Sequence, residues 1–240
     1  MAKSQTPAEE RIRRAAERSA RLRTPRAAAV AGILFSVLLI TSLVLIRISV
    51  PSDPLVAQGW LSTNSGTVAL ALNLIPFAGI AFLWFVGVVR DRIGEREDRF
   101  FATVFLGSGL LFLAMLFASA AIAGSVILLR SADLEQEVAS EIYIFGRATS
   151  YEIMNIYAIK MAGVFMISTS TLALRTAIIP RWMAFLGFAL ALTLLLSIGT
   201  IDWISLVFPV WVLMISVFIL IENMRGQGGA TNTEPAKESA

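Results

Sequence analysis

An all-α bundle of six membrane-spanning helices, with both ends of the chain on the cytoplasmic side, is the fold class that the residues predict. Three observations predict it. Of 240 residues, 57% are apolar and only 15% charged, for a mean hydropathy of +0.76, so lipid must solvate most of the surface. Apolar runs near the roughly 20 residues that cross a ~30 Å hydrocarbon core recur along the chain, separated by shorter polar segments. The basic residues outside those runs fall almost entirely in alternate segments, as the positive-inside rule requires.

Residues 1–26 form a basic cytoplasmic segment. Thr6-Pro7-Ala8-Glu9 is a capping box with proline at the first helical position, which predicts a short basic helix from Pro7 to about Arg23. Thr24-Pro25 is expected to end it, because the residue before a proline is pushed out of the α region. Arg11, Arg13, Arg14, Arg18, Arg21 and Arg23 then lie against anionic lipid headgroups, where each contributes about 1 kcal/mol of attraction. They serve as a topogenic signal or as a lipid-recognition element.

The membrane domain, 27–222, opens with a first span at 27–46, too long for a signal-peptide core and therefore expected to stay as an anchor. Val50-Pro51-Ser52-Asp53-Pro54 ends it, and Gly59-Trp60-Leu61 reads as an interfacial part of the next loop. The second span, 67–89, carries Asn73 and Pro76; Pro76 lacks an N–H and frees the carbonyl of Leu72, which predicts a kink. The link from Arg90 to Arg99 alternates in sign, with Gly94 as its turn residue and Glu95 to Arg99 as an i,i+4 pair. The third span, 100–129, is ~45 Å of helix at about 1.5 Å per residue, so it must tilt or project. Its Ser119, Ala120, Ala123 and Gly124 form small-residue i,i+4 pairs that admit a close neighbour helix.

An external amphipathic segment is expected at about 131–147, where Leu134, Val138, Ile142 and Phe145 recur at helical spacing among acidic residues. Thr149-Ser150-Tyr151-Glu152 is a second capping box, expected to open the fourth span at 151–174, which contains Lys160. The fifth span, 182–198, and the sixth, 203–221, form a tight hairpin with Asp202 as N-cap, and Pro209 is expected to kink the sixth by freeing the carbonyl of Ser205. Residues 223–240, rich in Gly, Thr, Glu and Asn, read as a disordered cytoplasmic tail.

Counted against six spans, the inside segments hold sixteen Lys and Arg and the outside segments only Arg47, Arg130 and Arg147. Every internal loop agrees, so the orientation does not rest on the N-terminus alone. The bias places a multi-pass protein in the cell membrane.

The residue inventory excludes whole function classes. With neither cysteine nor histidine there is no disulfide, thiol nucleophile, imidazole base or imidazole-held haem, and no metal site or cofactor is expected. The arginines sit beside apolar runs rather than on a soluble basic face, which sets nucleic acid aside. Gly107-Ser108-Gly109 resembles a nucleophile turn only in spelling, because it lies inside a continuous apolar run. No Asp or Glu lies inside an apolar run, where a proton- or sodium-coupled carrier usually needs one, and no catalytic motif is present.

Lys160 is the residue with most to explain, since a charge in mid-helix costs on the order of 2.5 to 3.5 kcal/mol on insertion scales. Tyr157 shares its face at 100° per residue, Asn155 points the other way, and Thr41, Ser42 and Asn73 lie at a similar outer-half depth. These five (Lys160, Tyr157, Asn73, Thr41 and Ser42) make either a polar pocket in a solute path or structural glue, with Lys160 snorkelling or bonded to the freed Leu72 carbonyl. Ser168-Thr169-Ser170-Thr171 line a path or bond back to their own helix.

The stretch Arg90-Asp91-Arg92-Ile93-Gly94-Glu95-Arg96-Glu97-Asp98-Arg99-Phe100-Phe101, running into Gly107-Ser108-Gly109, resembles segments of uncharacterised multi-span bacterial membrane proteins. The resemblance implies fold and location and no activity. Two functions stay open: a non-enzymatic accessory or scaffold subunit that associates with a protein partner or a second copy, or a carrier or pore for a small anionic solute with Lys160 in its path.

Overall fold

Helix is the state that each described apolar run adopts, because in lipid every backbone N–H and C=O has to find its partner within the segment. The structure, a computed structural model, describes residues 7–51, 59–93, 99–129, 135–176, 180–197 and 203–231. Its elements are α1 (Pro7–Ser49), α2 (Gly59–Ile93), α3 (Arg99–Leu129), α4 (Gln136–Glu152), a π-helical segment (Ile153–Ala158), α5 (Ile159–Thr176), α6 (Arg181–Leu196), a 3-10 turn (Ile204–Leu206) and α7 (Val207–Thr231). Five stretches are long and apolar enough to cross a membrane: Arg26–Ser49, Asn64–Arg90, Ala102–Leu129, Glu137–Arg175 and Ile204–Arg225. A sixth apolar helix, Arg181–Leu196, is shorter.

Several expected boundaries move, each for a physical reason. α1 runs straight through Thr24-Pro25. The carbonyl that Pro25 frees belongs to Arg21, outside the apolar stretch that starts at Arg26, where water can satisfy it. Gly59-Trp60-Leu61, expected in a loop, forms the first turn of α2. Pro209 falls within the first turn of α7, just after the 3-10 turn, where its missing N–H has no intrahelical partner to lose, so the expected kink has no cause. At the other end α7 continues helical to Thr231 instead of ending at residue 222, since extending a formed helix carries no nucleation cost. The expected turn at Gly94, the Glu95 end of the i,i+4 pair, the N-cap at Asp202 and the apolar Leu134 lie outside the described residues.

The largest departure is at 149–152. The external segment and the fourth span are not two helices, because α4, the π-helical segment and α5 follow one another without a break, and Thr149 spends its hydroxyl on the carbonyl of Phe145 rather than on a cap. The face of α4 that packs on the bundle is not the apolar stripe of Val138, Ile142 and Phe145, which is left to face the bilayer surface. Tyr143 and Gly146 are buried against α3, while Val138, Ile142 and Phe145 stay exposed, Phe145 at 73%. A Cβ at Gly146 would lie 2.6 Å from Val126 Cγ2, so glycine is what lets α4 lie this close.

The bundle pairs α1 with α2 and α7, α5 with α6 and α3, and α3 with α2 and α4. Ser42 Oγ donates to the carbonyl of Ala71 at 2.8 Å, tying α1 to α2. Lipid tails are as apolar as the interior, so what holds the helices is packing. Its centre is a cluster of seven buried rings, Phe35, Phe82, Phe85, Phe105, Phe112, Phe165 and Phe208, drawn from five helices. Phe82 lies 4.7 Å from Phe35, 5.2 Å from Phe165 and 5.5 Å from Phe112, centroid to centroid, within the range of favourable ring pairs. On the outside, Trp84, Phe185, Leu128 and Leu196 are exposed, an apolar girdle that suits lipid and not water.

Candidate functional site

α1 ends, α3 ends, and α2 and α7 begin at one end of the bundle, and there they enclose a cavity of about 180 Å³ together with α4 and the π-helical segment. Its floor is apolar: Leu43, Leu72, Ile75, Leu116 and Met154. Its rim is basic and polar, with Arg47, Arg147, Ser119, Ser150, Tyr151 and Asn155. Trp203 closes one side, with the Arg47 guanidinium over its ring at 5.9 Å from the centroid, a cation–π distance.

Local structure explains how each polar group arrives. Arg147 follows Tyr143 by one turn of α4, donates from Nη1 to the Tyr143 hydroxyl at 3.0 Å and from Nη2 to the carbonyl of Pro51, and so ties α4 to the end of α1. Ser119 and Ser150 each donate their hydroxyl to the other's carbonyl, at 2.9 Å in both directions, which uses both protons and leaves the two hydroxyl oxygens 3.0 Å apart. This small-residue contact is the close approach expected of Ser119, with α4 as the partner. Met154 and Asn155 lie within the π-helical segment, whose wider turn changes the facing of the chain between α4 and α5. Asn155 Nδ2 donates to the carbonyl of Tyr151 at 3.0 Å.

Ala120 and Ala123 also line the cavity, Ala120 packing against the buried core as well. The nearest atom that a Cβ at Gly124 would meet is Leu72 Cδ1, at 4.0 Å. A second cavity of about 290 Å³ lies beside the first, between α2 and α3, lined by Leu72, Ile75, Pro76, Phe117, Ala120 and Ala121. Leu72, Ile75 and Ala120 form walls of both cavities. Pro76, Phe117 and Ala121 are exposed, so this second cavity is an open groove on the outer flank.

The five residues read as a polar pocket or as structural glue are not among those lining these cavities. Thr41 and Asn73 are exposed, Asn73 bonding back to the carbonyl of Ala69 at 2.9 Å, and Ser42 is spent on Ala71. These three sit on the α1–α2 pair, whereas Lys160 is on α5, which packs on α3 and α6. Lys160 is half-buried beside exposed Tyr157, on the flank away from Ile159, Ala162, Phe165 and Met166, and makes no hydrogen bond or ion pair among the described residues. Ser168, Thr169 and Thr171 bond back to the carbonyls of Val164, Phe165 and Ile167. Ser108 does the same to Val104 and Phe105 and is buried, which leaves no exposed nucleophile turn.

Sequence reasoning passed over Arg47 and Arg147 as site residues, although both stood out as external basic residues against the positive-inside bias. That they break the pattern was the available signal. Asn155 was placed on the face opposite Lys160, and that face is the one that meets the cavity.

Together the helices and the apolar girdle define a helical membrane protein with an amphipathic, basic vestibule at one end. No family model, no curated protein and no solved structure matches the chain.

Proposed function

We propose that this protein crosses the cytoplasmic membrane six times, with both ends inside, and works by association as a non-enzymatic accessory or scaffold subunit. One observation carries the reading: the seven-ring cluster lies directly beneath the vestibule. One turn inward from Leu43 and Leu116 come Leu39 and Phe112, both buried, and then Phe82 and Phe165. A packed aromatic layer of this kind leaves the vestibule a dead end and suits a protein that binds at its surfaces.

The course of the chain supports six crossings. The π-helical segment stands at the vestibule, α5 leads away from it, and α7 starts beside it, an arrangement that a crossing α6 accounts for. Its 16 residues give ~24 Å of helix, a few ångströms short of the average hydrocarbon core, a mismatch that local thinning or a neighbouring protein accommodates. The likeness of residues 90–109 to segments of bacterial multi-span proteins fits the same location.

The purified protein in liposomes loaded with a small-anion indicator is expected to give no flux above that of empty liposomes. Photo-crosslinking from the girdle, for example at Trp84, is expected to trap a second copy or one partner in fixed stoichiometry. Flux that disappears with Lys160→Met overturns the proposal in favour of a carrier, the reading that the unpaired Lys160 supports.

A further inference from the structure

We infer that the vestibule and the groove beside it form one binding site for an anionic phospholipid of the leaflet at the Arg47 end. Its phosphate sits between Arg47 and Arg147, and an acyl chain passes out between α2 and α3. This site stands whether the protein acts by association or by transport.

Arg47 lies near the end of the apolar stretch Arg26–Ser49, and Trp203 just before the start of Ile204–Arg225, which is the level of lipid headgroups. Guanidinium is the side chain best matched to phosphate, because its planar fork donates paired N–H bonds to two oxygens. Two such groups line one cavity, with Asn155 and Tyr151 on the same rim. Arg147 already holds the Tyr143 hydroxyl and the Pro51 carbonyl, and Arg47 lies over Trp203, so that what they bring to a phosphate is first of all charge.

A soluble anion would need only that rim. It gains nothing from a floor of Leu43, Leu72, Ile75 and Leu116, and it loses hydration against them. An amphiphile uses both halves. The groove continues the floor across the shared wall of Leu72, Ile75 and Ala120 to Pro76 and Phe117, which are further from the helix ends than Val68 and Ala123 of the vestibule. Charge therefore lies at the surface and the apolar channel leads toward mid-bilayer, the order in which a lipid carries them. The small residues Ala120 and Ala121 suit the same occupant, because both line the open groove and leave it wide enough for an acyl chain.

The test uses the full chain in nanodiscs of equal phosphatidylglycerol and phosphatidylcholine, with native mass spectrometry of the lipid that survives detergent extraction. The wild type is expected to retain phosphatidylglycerol over phosphatidylcholine by at least about tenfold, and Arg47→Gln with Arg147→Gln to abolish that preference. Ala121→Phe fills the groove from an exposed position, with both charges in place and thermal stability unchanged, and should lower retention of phosphatidylglycerol to a similar extent. Because Arg147 also ties α4 to Pro51, Arg47→Gln alone serves as the charge variant if the double variant melts early. Equal retention of both lipids by the wild type overturns the proposal. So does displacement of the lipid by millimolar inorganic phosphate, which marks a free-anion site, or an Ala121→Phe protein that retains phosphatidylglycerol like the wild type.

Discussion

Phe82 touches five other buried rings, those of Phe35, Phe85, Phe112, Phe165 and Phe208, so its removal opens a void at the centre of the bundle. In a water-soluble core Phe→Ala costs about 3 to 5 kcal/mol, part of it the transfer of the ring to water. In a membrane the ring exchanges protein for lipid and that part vanishes, so Phe82→Ala should cost clearly less than about 3 kcal/mol, measured by unfolding in lipid bilayers. A loss at or above the water-soluble value would show that the core exchanges with water on unfolding. Lys160 poses the opposite case, a charge with no hydrogen bond or ion pair to lose among the described residues. Lys160→Met should leave the melting temperature in nanodiscs unchanged or raised, the gain in stability being no more than the ~2.5 to 3.5 kcal/mol assigned to a mid-helix charge. A lowered melting temperature would reveal a partner for its ammonium.

Between elements, the α3–α4 contact is the one most open to dissection. It depends on the Ser119–Ser150 bonds and on the close approach at Gly146. A double-mutant cycle of Ser119→Ala and Ser150→Ala should return a coupling near 0.6 kcal/mol and below about 1.7, the range for hydrogen bonds between membrane helices. Zero coupling would mean that lipid or water replaces the pair at no cost. Gly146→Ala pushes a methyl group to 2.6 Å from Val126 and should destabilise by about 1 to 3 kcal/mol through overpacking. Stability equal to wild type would place α4 farther from α3 than the structure has it. The change also shifts Arg147, one residue on, so lipid retention is expected to fall with it.

For the molecule as a whole, the orientation is the property on which every functional reading depends. The chain has no cysteine, so single cysteines introduced near Gln58, Glu137 and Asp202 can be labelled against a silent background and are expected to react from outside with a membrane-impermeant maleimide. Those near Glu95, Ile178 and Gly229 should react only after lysis. External labelling near Glu95 would end the six-span orientation, and with it the placement of the vestibule on the outer face.

Composition and the period of the apolar runs were enough to specify helices and lipid, because both follow from one local rule: in hydrocarbon a backbone must bond within its own segment. The apolar stretches Arg26–Ser49 and Ala102–Leu129 were legible for that reason. Junctions were less so, since Thr24-Pro25 and the Thr149–Glu152 box are breaking signals that a continuing helix overrides when its freed groups have other partners. What surrounds each face was not legible at all. Ser119 and Ala120 are one residue apart and similarly small, yet one meets Ser150 and the other borders an open groove. Lys160 looked functional because a lone charge in an apolar run is costly wherever it points, while Arg47 and Arg147, a hundred residues apart, looked incidental. Only the tertiary structure brings those two arginines to one cavity and leaves Lys160 outside it, because facing is set by how helices pack and by a π-helical segment that turns the chain between α4 and α5.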